Sequence, residues 1–199
     1  RAIAFLRNLQ SARTEDPVKD AILYVFASHA IRTGRLNEAR DIANRMLENQ
    51  SDRVIRESAW RILSSVSLKR NPPQYRLAAE RLIRLMDELV DDQEKARISR
   101  MVGDCYLANQ DYGNALPRFL QLLESERNPD ARDYLFGRAV ECHLQMGAAS
   151  AAVELLDQVR SEARPLSDPI WRAEWNLSMF WVRNRASIDA LNRMEGVYK

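Results

Sequence analysis

An alanine returns along this chain at nearly constant intervals, and each return brings the same apolar pattern with it. Ala2, Ala39, Ala78, Ala115, Ala152 and Ala190 are separated by 37, 39, 37, 37 and 38 residues. About four and seven positions after each comes another apolar side chain. These are Phe5, Leu6 and Leu9; Ala43 and Met46; Leu82 and Leu85; Phe119 and Leu122; Leu156 and Val159; Met194 and Val197. Positions i, i+4 and i+7 share one face of an α-helix, so each interval holds an amphipathic helix with a small residue at the head of its stripe. One such unit cannot bury its own apolar face. Successive copies must cover one another, and that is a helical solenoid.

Each unit also predicts a helix ahead of the alanine. Asp16-Pro17, Asn128-Pro129 and Asp168-Pro169 read as starts, because an Asp or Asn side chain caps exposed amides and Pro at the first helical position loses no hydrogen bond. Over 17–32, Leu23, Phe26, Ala27 and Ala30 make one buried face. "RTGRLNE" then breaks the helix at Gly34, which is free to take positive φ, and a second helix begins near Asn37. "LKRNPPQY" is the equivalent turn one unit later, longer by about two residues, and its two prolines forbid a continuous helix.

Composition narrows the function classes. With 46% hydrophobic and 29% charged residues the chain packs a core, and 6 Gly and 7 Pro are few for a protein of many tight β-turns. Thirty basic against 28 acidic residues leave a net charge of +2, which gives no electrostatic case for a nucleic-acid partner. Arginine outnumbers lysine 26 to 4; its planar fork suits carboxylates on a partner, and a coding bias gives the same count. No apolar run approaches the roughly 20 residues of a membrane span. "AIAFLRNL" after Arg1 reads as the middle of a helix, so the chain is expected to be a fragment flanked by more protein.

Catalytic patterns are absent: no phosphate loop, nucleophile elbow or paired carboxylates, and no metal or cofactor is expected. His29 and His143 lie in different units without Cys, His or carboxylate at ligand spacing. His143 is expected to be partly buried and satisfied. Cys105 and Cys142 occupy one slot in neighbouring units; helices stacked about 8–10 Å apart hold such residues too far apart for a disulfide, so both are expected reduced and buried.

Gly103-x2-Tyr106, Asp111-Tyr112, Ala115-x3-Phe119 and Pro129 resemble the tetratricopeptide (TPR) repeat. Elsewhere the Gly slot holds Ala27, Ser64, Val140 or Ser178, and the Tyr slot Ala30, Ser67, His143 or Trp181. The resemblance implies an all-α, right-handed superhelical solenoid of antiparallel helix pairs. About five and a half repeats are expected, spanning 1–13 (a second helix only), 14–51, 52–91, 92–128, 129–166 and 167–199. The long period is similar to that of helical-repeat proteins of the bacterial cell envelope, which implies the periplasmic side, with the cytoplasm as the alternative.

First helices of stacked pairs line the concave surface, and the outward stripe on each can be traced along the chain. It gives Tyr24, Arg61, Arg97, Arg100, Tyr134, Arg138 and Trp175 as candidate partner-binding residues, Arg and aromatic side chains being typical interface anchors. Ser28, Ser65 and Asp104 stand where the family's carboxylate clamp would carry Asn, which removes that ligand class. Trp181 and Leu177 fit the core of helix 169–183, while Trp171 and Trp175 fall on its other face, against a following unit or a ligand. The expected function is a non-enzymatic scaffold that holds a protein or peptide in its concave groove. The alternative is a structural or oligomerisation segment that touches flanking repeats or other subunits through its ends.

Overall fold

The computed structural model describes residues 16–48, 52–162 and 165–198, and every regular element among them is an α-helix. In chain order these are α1 (Asp16–Arg32), α2 (Leu36–Glu48), α3 (Arg53–Lys69), α4 (Tyr75–Glu88), α5 (Asp92–Ala108), α6 (Tyr112–Ser125), α7 (Pro129–Gln145), α8 (Ala149–Arg160), α9 (Asp168–Arg183) and α10 (Ser187–Tyr198). The helix expected at 1–13, with Ala2, lies outside the described residues. One compact unit runs to Cys105 and a second begins at Tyr106. In the first, α1 packs on α2, α2 on α3 and α3 on α4, and the first helices α1 and α3 also touch. In the second the same order holds for α6 to α10, with α7 against α9.

The alanine ladder is a packing ladder. Ala39, Ala78, Ala115 and Ala152 are completely buried and Ala190 nearly so. The matching slots of the first helices hold small or slim residues: Ala27, Ser64, Gly103, Val140 and Ser178 are all buried. Around this ladder the first unit gathers Leu23, Phe26, Ile42, Met46, Ile62 and Leu63. The second unit fills its core with Phe119 and Leu135 near its start, then with Phe136, Leu156, Ile170 and Leu177.

Four of the turns inside helix pairs close identically. The amide of Arg35 donates to the carbonyl of Ala30, Asp111 to Tyr106, Ala148 to His143 and Ala186 to Trp181, each at 2.8 Å. One residue earlier Gly34, Gln110, Gly147 and Arg185 donate to the carbonyl three positions back. This pair of bonds is the Schellman closure of a helix end, and it requires the earlier of the two donors to be left-handed. Gly34 and Gly147 have φ of 76°, Gln110 60° and Arg185 64°. The fifth turn is the "NPPQ" stretch, where Asn71–Pro72 is cis and Gln74 donates instead to the carbonyl of Ser67, in the same slot as Ala30 and Tyr106. A methyl group at Gly147 would meet nothing within 4 Å, so only backbone conformation opposes it. Gly147→Ala is expected to lower stability by about 1 kcal/mol, and Gln110→Gly to raise it by somewhat less. Urea midpoints of the two variants check both signs.

Helix starts agree in part with expectation. Asn128 accepts the amide of Ala131 at 3.1 Å, Asp52 that of Val54 at 2.7 Å and Asp91 that of Gln93 at 3.1 Å. At α9 the N-cap is Ser167, its side chain does not cap, and Asp168 is already helical with Pro169 behind it. The amide lost at Pro169 is one that helix starts leave unpaired anyway, so this end holds without a side-chain cap. Cys105 and Cys142 are free and buried, and burial pushes their thiols up to about 11 and about 12, which keeps them protonated and unreactive. His143 is half-buried, and burial lowers its pKa. Its Nδ1 has no hydrogen-bond partner among the described residues, where the sequence pattern predicts a satisfied ring.

Candidate functional site

The seven candidate residues fall into separate local settings. On α1, Tyr24 is exposed. On α3, the guanidinium of Arg61 donates to Glu57 at 2.9 Å and, across to α5, to Glu94 at 2.8 Å. Arg97 closes on the same carboxylate at 2.6 and 2.7 Å. Hydrogen bonding from Arg97 outweighs the opposing effect of burial and, with Arg61, holds the Glu94 carboxyl at about 2. A ligand approaching Arg61 or Arg97 therefore competes with Glu94. Arg100, one turn on from Arg97, is half-buried.

In the second unit Tyr134 and Arg138 come together. They are four residues apart on α7, so they share a face. The Arg138 guanidinium carbon lies 5.0 Å from the Tyr134 ring centroid, and its Nη1 donates to Glu141 at 2.9 Å. Beside them α9 begins unusually close to α7. A Cβ built on Gly137 would stand 3.3 Å from the carbonyl oxygen of Pro169, so only glycine admits this approach without a shift. From that contact the two helices bound an open groove of about 330 Å³. Tyr134, Arg138 and Glu141 line it from α7; Asp168, Arg172 and Asn176 line it from α9.

Arg172 and Asn176 are exposed and make no hydrogen bond or ion pair with any described residue. Neither stood out in the sequence. They stand 38 residues after Tyr134 and Arg138, so strict counting by the period would have found them. Trp175 stands 38 after Gly137 instead, and it lies outside the groove, 58% exposed on the open side of α9. The arrangement suits recognition rather than chemistry. Tyr134 offers a flat amphipathic surface, Arg172 a fork for a carboxylate, and Asn176 both a donor and an acceptor for a peptide backbone. Among the described residues no group of His, Cys, Asp and Glu could hold a metal ion, and no helix is long and apolar enough to cross a membrane.

Paired antiparallel helices of a 37–39-residue period, packed pair on pair within each unit, define an α-helical repeat protein. Solved structures place that repeat: the fold is TPR-like. A Podosopora anserina protein of nearly identical TPR-like repeats, named as a putative kinesin light chain, superposes with a TM-score of 0.62 at 18% identity over 93% of this chain and 96% of its own. A point variant of that protein gives 0.62 at 16% identity over 94% and 96%. MamA AMB-1 gives 0.60 at 12% identity over 92% of each chain. No protein-family model and no curated protein sequence matches the chain.

Proposed function

We propose that this chain is a non-enzymatic scaffold for protein–protein interaction, and that the groove between α7 and α9 holds an extended or helical segment of its partner. One observation carries the reading: Arg172 and Asn176 present unpaired polar groups beside the Tyr134–Arg138 stack in an open groove. Polar groups left unpaired at a surface cost nothing in water, yet each can add a directed bond to a bound backbone or carboxylate. The TPR-like fold supports the reading, since stacked helix pairs present such surfaces.

With a partner isolated by pull-down, titration calorimetry tests the groove. Arg172→Glu should weaken binding by roughly tenfold or more, and Asn176→Ala by less. Both residues are exposed, so neither change should alter the melting temperature. Unchanged affinity in both variants, with loss on substituting the exposed Glu154 of α8, would place the partner elsewhere. A second reading, a structural or oligomerisation segment of a larger assembly, is favoured by the apolar side chains exposed on α9 and α10.

A further inference from the structure

We infer that the hollow between α3 and α4 is a second binding site, which takes an acidic side chain of a protein partner together with an apolar neighbour. The repeat register points to it. Arg81 of α4 and Arg193 of α10 each stand three residues after a ladder alanine, Ala78 and Ala190. Arg193 is held by Glu174, four residues before Ser178, and four before Ser64 stands Trp60. One pair thus carries its own carboxylate for the arginine, where the other has a tryptophan. Arg81 is fixed to the first helix through Nη1, which donates to the carbonyl of Leu63 at 2.7 Å and to Oγ of Ser67 at 2.6 Å. Its Nε and Nη2 meet no acceptor among the described residues. That edge is the one with which Arg56, Arg97 and Arg193 hold Glu88, Glu94 and Glu174. Its two parallel N–H groups match the two oxygens of a carboxylate.

The surroundings choose the occupant. Trp60, Leu77, Glu80, Ile83 and Arg84 line, with Arg81, an open hollow of about 560 Å³. Trp60 is half-buried and packed against the core of α1 to α3, so it forms a fixed apolar wall. Arg84 is exposed and bonds to no described residue. Glu80, on the rim, is engaged by Arg76 at 3.5 Å. Burial lowers the pKa of Arg81, and so do the nearby charges of Arg70 and Arg40, against a smaller opposing effect of Glu80. Arg70 itself donates to the neutral side chain of Asn37. Positive charge therefore exceeds negative here, and an arriving anion relieves it. Sites for small molecules enclose most of what they bind, whereas an open hollow suits side chains presented on a peptide. A carboxylate on the Arg81 edge and an apolar side chain against Trp60 fill its two halves.

Selection of a random-peptide phage library on the 199-residue chain tests this, followed by titration calorimetry of each enriched peptide. Peptides with Asp or Glu beside an apolar residue are expected. Their dissociation constants should rise roughly tenfold or more with Arg81→Lys, which keeps the charge and loses the fork, and with Arg84→Glu. Arg84 is exposed, so circular dichroism should show the fold intact in that variant. Changing the peptide's acid to its amide should weaken binding as much. Trp60→Glu puts a carboxylate in the slot of Glu174 and should shut the site by pairing with Arg81. Arg172→Glu, which tests the α7–α9 groove, should leave these peptides bound. An enriched set without acids overturns the inference, as does affinity indifferent to both arginine variants. So does a set bound only through Arg172, or the failure of any peptide to be enriched. Tighter binding of phosphoserine in place of the acid would assign the site to phosphate and overturn the carboxylate.

Discussion

Arg193→Leu is expected to lower the unfolding free energy by about 3–5 kcal/mol, and the double variant Glu174→Leu/Arg193→Leu to recover most of that loss. Glu174 on α9 has no exposed surface. Its two oxygens accept from Nε and Nη2 of Arg193 on α10, both at 2.8 Å, and Nη1 of Arg193 reaches Asp157 on α8. One guanidinium thus ties three helices. Removing it leaves a carboxylate buried among apolar neighbours without its cation, and the cost is dominated by that abandoned charge. The repeat shows why the double change is mild. One period earlier the same two slots hold Phe136 and Leu155, an apolar solution to the same packing problem. Denaturant titration of the two singles and the double closes the cycle. A double variant no more stable than Arg193→Leu would mean that the pair does more than satisfy itself.

Ala115→Leu is expected to cost about 1–3 kcal/mol without touching any candidate binding residue. Ala115 is completely buried and clusters with Phe119, Leu135, Ala139 and Cys142 between α6 and α7. Three added carbons have no space there, so side chains must leave their rotamers or the helices must part. Leucine is nearly as good a helix former as alanine, which removes propensity as an explanation. Ala108→Leu is the control, because Ala108 is exposed at the end of α5. A clear fall in midpoint for the first variant and little for the second is the expected result. Equal midpoints would show that the ladder of alanines is not where the helices press together.

Period and local chemistry made much of the fold legible. The alanine spacing predicts amphipathic second helices, and the buried alanines of α2, α4, α6, α8 and α10 stand where it puts them. The turn at Gly34 was readable because glycine is the residue that accepts a left-handed backbone at least cost. Its counterparts at Gln110 and Arg185 carry no such mark, and only register places them. Asn128-Pro129 announced a capped start; Asp168-Pro169 carried a similar signal, but there Asp168 lies inside the helix.

What the sequence determined by itself is therefore what depends on neighbours along the chain: all-α structure, the length of the repeat, the buried stripe of each helix and the positions of most turns. Tertiary structure alone decided which polar side chains find one another. Arg61 reaches across to the carboxylate of Glu94 on another helix, Arg193 is clasped by Glu174, and Arg172 is left open to solvent. All three are arginines on helices, indistinguishable by composition. Hydrophobic burial depends on area and survives a shift of an ångström, so a periodic pattern can encode it. A hydrogen bond forms only near 3 Å and at the right angle. That distance is set where two helices cross, by contacts such as Gly137 against Pro169, which no stretch of sequence contains.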